Sequence, residues 1–359
     1  MATIFYSMAG EGRGHATRVR TVVEHLRERH RLILLAPGDA YDLLEPAYRG
    51  SDVEVVRIPC LRFVYDSRQR VSVGGSVVGA LRYVGGLRRL VAELGARMRR
   101  ERADLLLTDF DPGAPRAAEA VGVPYLALDH QSFMWASDLS FLPTGLRAQA
   151  RLMVPGLRAM YRRQTHTISS SFFQPDPKPG LRDVTFVGTM LRDGLLEARP
   201  SLGEHLVAYC RRTMPTNVLE ALRASPVEVR VYGLGERLSD GPLRFRPISE
   251  EGFIEDLATC RAVVASAGNQ LLGEVLFLGK PVLALPEARQ SEQLINCHFL
   301  ERMGGGEWVA PQLLSGARLG VFLDRAPGLA GRIDRDFARG NERAVAAIEA
   351  QLEAVGAGV

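Results

Sequence analysis

The sequence predicts an α/β protein made of two doubly wound domains, each with a mostly parallel β-sheet. Short apolar runs bounded by turn residues alternate with longer amphipathic stretches, which is the pattern of βαβ units. The alternation is interrupted at the Pro/Gly-rich segment 174–180 and then resumes. A chain of 359 residues is long enough for about two or three domains of ordinary size. Two such domains facing each other place a ligand cleft between the carboxyl ends of their strands.

The first domain is predicted to span residues 1–187. Strands that are buried on both faces of a parallel sheet read as short, continuous apolar runs. An amphipathic stretch over residues 17–29 predicts the helix that follows the first strand. The predicted strands of this domain are Thr3–Met8, Arg31–Ala36, 53–58, 105–108 and 125–128.

The second domain is predicted to span residues 188–330, with a joint to the first domain near 188–203. Residues 331–359 are rich in strong helix formers and predict a helix that crosses back to the first domain. The strands of the second alternation are predicted at 185–187, 205–209, 227–232, 262–265 and 282–285. Its helices are predicted at 217–224, 251–259, 271–278 and 292–303.

The composition excludes several classes of protein. Hydrophobic residues make up 46% of the chain and charged residues 24%, which is ordinary for globular domains and unlike disordered, collagenous or disulfide-scaffold chains. The net charge is +4, and arginine supplies almost all of the positive charges, since Lys178 and Lys280 are the only lysines. Nucleic-acid binding needs basic residues clustered on one face rather than a small surplus, so no nucleic-acid partner is predicted.

The four cysteines and the N-terminus indicate a cytoplasmic protein. The cysteines lie far apart with no C-x-x-C pair, which suggests neither a zinc site nor a disulfide framework and fits a reducing compartment. The first residues lack the basic segment of a secretion signal, and no apolar run reaches the roughly 18 residues of a membrane span. We therefore expect neither export by that route nor a membrane-spanning chain.

A glycine-rich loop over residues 10–15 joins the first strand to its helix. Its glycines permit close backbone approach to a ligand, and the helix start offers amide donors. An NAD-binding fingerprint is disfavoured, because the third glycine of G-x-G-x-x-G is one position early and no acidic residue closes the second strand. The loop instead aims His15 into the cleft, where an imidazole suits a general base. A capping or packing histidine is the alternative.

The most informative stretch of the sequence runs from residue 263 to residue 306. A strand ends in a small-residue turn containing Ser266 and Gly268, and the helix that follows carries Glu274. Amides at such a turn and the positive end of the helix suit a diphosphate. A carboxylate two turns into the helix can accept hydrogen bonds from both hydroxyls of a ribose, and a carboxamide after the next strand can reach sugar hydroxyls.

This spacing resembles the nucleotide-sugar signature of GT-B glycosyltransferases, including the UDP-glycosyltransferases and the N-acetylglucosaminyl transferase that forms lipid II. The loop at 10–15 resembles the family's N-terminal glycine-histidine loop, so the resemblance covers most of the chain. It implies two Rossmann-like domains and an inverting, metal-independent transfer without a cofactor. The implied substrates are a nucleotide sugar, with UDP favoured over dTDP, and a hydroxyl acceptor that is a lipid or a small natural product.

The resemblance also implies roles for individual residues. His15 takes the acceptor proton and Asp109 orients it. Asp129, His130 and Gln131 follow another strand of the first domain and are expected on the acceptor side. The residues assigned to the donor are Gly14, Arg192, Arg211, Arg212, Ser266, Gly268, Asn269, Glu274, Glu292 and Gln293.

Several donor assignments have specific grounds and alternatives. Glu274 is expected to hold the ribose, and Glu292 and Gln293 the donor sugar. Plant members of the family have a histidine where Ser266 stands, so a phosphate contact here depends on hydroxyl and backbone groups. Arg211 and Arg212 can donate to the diphosphate, with plain surface charge as the alternative.

Three other interpretations remain open from the sequence. Asp109 and Asp111 form the Asp-x-Asp pattern of metal-binding GT-A enzymes, but they lie in the domain without donor features, and Asp111 can simply cap a turn. A non-hydrolysing nucleotide-sugar epimerase shares the architecture. A non-catalytic nucleotide-sugar-binding or membrane-docking subunit is the third, although His15 and Glu274 on one chain argue against it.

Two basic amphipathic stretches, 81–102 and 146–166, lie in the first domain. Each has a clear surplus of arginine over acidic residues and apolar residues at helical spacing. Basic amphipathic helices favour a membrane surface, here the inner face of the cytoplasmic membrane. A packed helix with a solvated arginine face is the alternative.

Overall fold

The computed structural model describes residues 1–10, 13–60, 73–211, 214–247, 249–288 and 290–356 of the chain. These residues form two separate β-sheets in which neighbouring strands run parallel. Helices cover both sheets, so the fold is two doubly wound α/β domains. The predicted fold class is therefore confirmed.

The first sheet has the strand order β3-β2-β1-β4-β5-β6-β7. The order changes direction between β1 and β4, and ligands of such sheets bind outside the carboxyl ends of the strands at this point. The strands are β1 (Thr3–Met8), β2 (Arg31–Ala36), β3 (Glu54–Arg57), β4 (Leu105–Asp109), β5 (Tyr125–Asp129), β6 (His166–Ser170) and β7 (Val184–Val187). The helices are α1 (Arg13–Leu26), α2 (Gly38–Tyr48), α3 (Val73–Arg100), α4 (Ala114–Val121), α5 (Phe133–Ala136) and α6 (Thr144–Met160).

The second sheet has the order β10-β9-β8-β11-β12-β13 and changes direction between β8 and β11. Its strands are β8 (Leu206–Tyr209), β9 (Val229–Tyr232), β10 (Leu243–Phe245), β11 (Ala262–Ala265), β12 (Val282–Ala284) and β13 (Gly306–Trp308). Its helices are α7 (Asp193–Glu197), α8 (Thr216–Arg223), α9 (Glu250–Thr259), α10 (Asn269–Phe277), α11 (Ser291–Met303) and α12 (Gly316–Ala330), and the last helix of the chain is α13 (Asn341–Gly356).

The assignment of residues 185–187 to the second alternation is wrong. They belong to β7, which pairs with β6 in the first sheet. The sequence pattern did not predict β6, because Ser169 and Ser170 are fully buried and interrupt the apolar run. The Ser170 hydroxyl is satisfied by the Gly188 carbonyl at 3.0 Å. A buried strand that carries hydroxyl groups does not give the apolar pattern from which parallel strands are predicted.

The chain crosses between the domains twice, and the two crossings touch. The Gly340 amide donates to the Thr189 carbonyl at 3.0 Å. The Asn341 side chain accepts from the Leu191 amide and donates to the Leu191 carbonyl, both at 2.8 Å. A Cβ at Gly340 would overlap the carbonyl of Gly188, so the close approach requires glycine there.

Helix α13 packs against the first domain, where it contacts α1, β6 and β7. Ala344 and Ile348 are fully buried in the same apolar cluster as Ile168 of β6 and Val187 of β7. The helix begins at Asn341, about three turns later than residue 331, because the preceding residues form the second crossing.

An apolar cluster joins the two domains beside the cleft. Phe173 of the first domain stacks on Phe299 of α11, with ring centroids 3.5 Å apart, and Phe133 packs edge-on against both rings. The Asn269 side chain accepts from the Phe172 amide at 3.0 Å and donates to the Ser170 carbonyl at 3.2 Å. These contacts fix the carboxyl ends of the two sheets opposite each other.

Candidate active site

A cavity of about 360 Å³ lies between the carboxyl ends of the two sheets. Both domains contribute to its walls, through the start of α1 and the end of β5 on one side and the turn before α10 on the other. The predicted site residues that line it are Gly14, His15, His130, Gln131, Arg192, Arg211, Ser266, Gly268, Asn269, Glu274 and Glu292.

His15 lies in the first turn of α1 and contacts the carboxylate that ends β4. Its Nδ1 is 3.0 Å from Oδ1 of Asp109. Because β1 and β4 are neighbours in the sheet, the helix that follows β1 starts directly above the end of β4. The His15 side chain is 19% exposed, whereas Asp109 is fully buried, so only the imidazole can reach a ligand.

Arg18, one turn further along α1, completes this group. It donates to both oxygens of Asp109, from Nε to Oδ2 and from Nη2 to Oδ1, each at 2.9 Å. Burial acts to raise the pKa of Asp109, but the charges of Arg18 and His15 outweigh it and hold that pKa below its usual value. Asp109 is therefore ionised at neutral pH.

The carboxylates of the other two aspartates predicted near this edge of the sheet accept hydrogen bonds from backbone amides. Asp111 accepts from the Ala114 amide at 2.8 Å and thus caps the start of α4. Asp129 accepts from the Ser132 amide at 2.8 Å and is 1% exposed. Burial raises the pKa of both carboxyls. The expected acceptor contact of Asp129 does not fit this position, because its carboxylate is used to hold the turn after β5.

His130 and Gln131 reach the cavity from the end of β5, but both are already bonded. His130 is 2% exposed; its Nε2 is 3.1 Å from Oδ1 of Asn296, and its Nδ1 is 3.0 Å from the Ser171 hydroxyl. Burial lowers the pKa of His130, so its ring is neutral at pH 7. Gln131 donates to Glu292 at 3.2 Å and so links the acceptor side to α11.

The turn between β11 and α10 presents backbone amides to the cavity. Gly268 is the N-cap of α10, and no side chain caps the helix there. The first amides of a helix are free donors at its positive end, which suits an anion. Ser266 is 5% exposed and lines the same wall. Asn269 lines it too, but its amide group is used by the first domain.

Glu274 of α10 is paired with Arg192 from the joint between the domains. Arg192 donates from Nη2 at 2.8 Å and from Nε at 3.2 Å, and Gln270 donates to Oε1 at 3.0 Å. Glu274 is only 3% exposed. Arg192 also lies 3.6 Å from Glu250, which accepts from Arg20 of α1 at 2.8 Å. This ion-pair network closes one end of the cleft.

The remaining donor assignments fall in different places. Glu292 faces the cavity at the start of α11. Gln293 is 8% exposed and accepts from the Glu287 amide at 2.9 Å, so its carbonyl holds the loop instead of facing the cavity. Arg211 lines the cavity and pairs with Glu287 at 2.9 Å. Arg212 lies outside the described residues.

Comparison with known proteins decides the family. The family model described as glycosyl transferase family 1 matches residues 2–327. The chain belongs to this family. A curated relative from Chelativorans sp. (strain BNC1) is 25% identical over 228 residues: a UDP-N-acetylglucosamine–N-acetylmuramyl-(pentapeptide) pyrophosphoryl-undecaprenol N-acetylglucosamine transferase. The match covers 54% of this glycosyltransferase but only 59% of the relative.

Solved structures resemble the glycosyltransferase over nearly its whole length. A UDP-glucosyltransferase from Polygonum tinctorium has a TM-score of 0.70 at 13% identity and is covered to 98%, with 99% of this chain matched. MurG from Acinetobacter baumannii has a TM-score of 0.61 at 16% identity, with 97% of this chain and 99% of that chain covered. At these identities the likeness shows the fold, which is GT-B. The comparisons do not support the epimerase alternative.

Sequence reasoning missed four residues that shape the site of this glycosyltransferase. Arg18 had a detectable signal, because side chains three positions apart share a helix face and Arg18 follows His15 at that spacing. Gln270 had a similar signal, because side chains four positions apart also share a helix face and Gln270 precedes Glu274 at that spacing. Arg20 and Glu250 had none, since they meet across the cleft from positions 230 residues apart.

Two absences in the part of the chain that the structure describes concern metals and membranes. In this part of the chain, no group of three or more histidine, cysteine, aspartate or glutamate side chains is arranged to hold a metal ion. No helix there combines the length and the apolar character needed to cross a bilayer.

Proposed function

We propose that this glycosyltransferase moves a sugar from a nucleoside-diphosphate sugar, with UDP as the favoured nucleotide, to a hydroxyl group of a lipid or small-molecule acceptor. The proposed transfer inverts the anomeric configuration and uses no metal ion or cofactor. One observation carries the proposal. The imidazole of His15, backed by Asp109, lines the same cavity as Glu274 and the amide-rich turn at Gly268.

The proposed chemistry is one in-line displacement. Nε2 of His15 removes the proton from the acceptor hydroxyl as its oxygen bonds to the anomeric carbon. The bond from that carbon to the diphosphate oxygen breaks, and the diphosphate leaves with the electron pair. Asp109 accepts a hydrogen bond from the Nδ1–H of His15, which keeps the lone pair of Nε2 toward the acceptor and stabilises the imidazolium that forms.

The leaving diphosphate needs positive charge on the donor side. The free amides at the start of α10 supply part of it. Arg192 and Arg211 line the same cavity and add charge-assisted donors. In this proposal the ribose hydroxyls donate to Glu274 and replace Arg192 as its partner. The Arg192 side chain then turns toward the diphosphate and stays paired with Glu250.

The preference for UDP and the choice of acceptors rest on the names of similar proteins. The curated relative is named for UDP-N-acetylglucosamine and for a lipid-linked acceptor, and the plant enzyme is a UDP-glucosyltransferase described as capable of glucosylating indoxyl. Both names contain UDP, whereas the acceptors differ in kind. A lipid and a small aromatic acceptor are thus both candidates for this chain.

The reaction class can be tested directly with purified protein. We expect a UDP-sugar to remain unchanged without acceptor and to be converted when a hydroxyl acceptor is added, with release of UDP. Proton NMR of the product should show the anomeric configuration opposite to that of the donor, and EDTA should not slow the reaction. Interconversion of the UDP-sugar alone would indicate an epimerase, and retained configuration would contradict the single displacement.

We further propose that the enzyme works in the cytoplasm at the inner face of the membrane. Apolar side chains are exposed beside the arginines of α3 and α6: Leu81 is 66% exposed, Val84 61% and Leu152 81%. The opposite faces of both helices are packed, at Leu94 and Leu157 for example. An exposed apolar group among cations is suited to an anionic lipid surface.

The membrane proposal predicts salt-sensitive binding to vesicles. We expect the protein to sediment with phosphatidylglycerol vesicles at low salt and to be released by salt, because exposed charges are screened within about 10 Å at 0.1 M. Joint changes Arg88→Gln, Arg89→Gln, Arg162→Gln and Arg163→Gln should abolish sedimentation. The control changes Arg223→Gln and Arg244→Gln remove exposed arginines of the second domain and should leave it intact. Absence of sedimentation at low salt would exclude this surface.

A further inference from the structure

Arg18 is a buried cation that the proposed transfer step does not require. Its side chain is 4% exposed, and three contacts occupy the guanidinium. Two are the hydrogen bonds to Asp109, and in the third Nη2 lies 3.2 Å from Nδ1 of His15. If Asp109 were its only charged neighbour, His15 would be next to a single negative charge. Here Arg18 binds both oxygens of that carboxylate and also contacts His15, so a positive charge lies beside the imidazole as well.

The contact between Nη2 and Nδ1 has two consequences for His15. Arg18 can only donate hydrogen bonds and ionised Asp109 can only accept them, so Nδ1 lies between a donor and an acceptor. The cation therefore opposes the stabilisation that Asp109 gives to an imidazolium. It also fixes both oxygens of Asp109, which orients the carboxylate toward Nδ1.

We propose that Arg18 is a positioning residue that sets the pH range in which His15 can accept a proton, by offsetting the charge of Asp109 while holding that carboxylate in place. The inference rests on the proposed function, in which His15 is the base. It adds that, next to Asp109 alone, the imidazolium of His15 would persist to higher pH. A smaller fraction of His15 would then be free to accept a proton near neutrality. Through the same contacts Arg18 holds Asp109 ionised and oriented toward Nδ1.

Several other titratable groups lie near this cluster, and the charge of Arg18 also acts to lower the pKa of Tyr6, Asp129 and His130. Those that face it from inside the first domain are Tyr6, Asp129 and Tyr161. Burial raises the pKa of both tyrosines well above the usual value, so they stay neutral. The titratable or charged groups that line the cavity with His15 are Arg20, His130, Arg192, Tyr209, Arg211, Glu250, Glu274 and Glu292.

The test is the titration of His15 in the free enzyme, followed by NMR of the imidazole carbon-bound protons. The chain has seven histidines, so the signal is identified by its loss in His15→Ala. We expect Arg18→Met to raise the titration midpoint by about one pH unit or more, because a neighbouring cation is removed. Asp109→Asn should lower it, and the double variant should return close to wild type. Arg18→Lys, which keeps the charge, should stay within about half a unit of wild type.

Activity measurements complete the test. The acid limb of kcat/KM should move to higher pH in Arg18→Met by the same amount as the NMR midpoint, whereas a purely structural role would lower the rate without moving that limb. Arg27→Met removes an exposed arginine just beyond the same helix and should move neither. If Arg18→Met does not fold, Asp109→Asn and the double variant decide, because they differ in Arg18 alone. Asp109→Asn keeps a side-chain oxygen that can accept from Arg18, and the double variant removes both charges of the buried pair.

The outcomes separate this inference from the proposed function. Equal midpoints in wild type, Arg18→Met and Asp109→Asn would overturn the role of Arg18 even if His15 is the base. A shifted midpoint combined with full transfer activity in His15→Ala would uphold the electrostatic role and remove the base from the mechanism.

Discussion

His15→Ala is expected to lower the rate of sugar transfer by about 10²–10⁴ and to leave UDP affinity nearly unchanged. The loss follows from the imidazole being the exposed member of the His15–Asp109–Arg18 cluster, while the donor groups Ser266, Gly268 and Glu274 lie in the other domain. The measurements are kcat with saturating donor and acceptor, and calorimetric titration with UDP.

Two further variants sharpen this result. His25→Ala removes another histidine of α1, one that contacts the Thr21 carbonyl outside the cavity, and should keep full activity. Asp109→Asn should also lower kcat, and combining it with His15→Ala should cost much less than the product of the separate effects, because the two act as a unit. Near-normal activity in His15→Ala would require another base. His130 is a poor substitute, because both of its ring nitrogens are already bonded within the protein.

Glu274→Ala should weaken UDP binding by about 10- to 100-fold, since a hydrogen bond to a buried charged group contributes about 1.5–3 kcal/mol. The side chain is 3% exposed, so water cannot replace the lost partner well. The loss should appear as a smaller thermal shift with UDP, because stabilisation by a ligand follows its affinity. The unliganded variant should still unfold cooperatively.

The pairing of Glu274 with Arg192 makes a second control necessary. Glu250→Ala removes the other carboxylate near Arg192 and should weaken UDP binding less, since Glu250 is not proposed to touch the ribose. The decisive comparison uses 2′-deoxy-UDP. Wild type should discriminate against it, and Glu274→Ala should bind UDP and 2′-deoxy-UDP with similar affinity. Discrimination that persists in Glu274→Ala would place ribose recognition elsewhere.

The fold was predictable where burial produces a plain pattern. The bounds of β1 and β2 agree residue for residue with their apolar runs, because both strands are covered on both faces. Strands β10 and β13 have three residues each and contain Arg244 and Glu307, so neither forms a continuous apolar run. Strand β12 is equally short but lies within the apolar run 282–285, which is why it was predicted. Strand β6 was missed because it buries two serines, and the tertiary hydrogen bond that satisfies the Ser170 hydroxyl is not revealed by any local sequence pattern.

The site was predictable at the level of loops but not of hydrogen bonds. The motifs predicted that His15 and Glu274 lie at one cavity, because the carboxyl ends of parallel strands meet at one edge of a sheet, and both residues do line the cavity. The sequence could not show that the amides of Asn269 and Gln293 are used by neighbouring backbone. A side-chain carboxamide can form hydrogen bonds with the backbone or with a ligand equally well, and only the surrounding structure determines which of the two it binds.

The packing of α13 has a consequence for how the chain is made. Asn341, which begins that helix, lies 150 residues after Leu191 at the first crossing. At about 5–20 residues per second, a ribosome needs roughly 8–30 seconds to make that stretch. Throughout this interval the nascent first domain lacks the cover that Ala344 and Ile348 give to its sheet. We expect the unfinished chain to expose apolar surface and to bind a holdase chaperone until α13 emerges, and a transcript ended before codon 341 to yield aggregated protein.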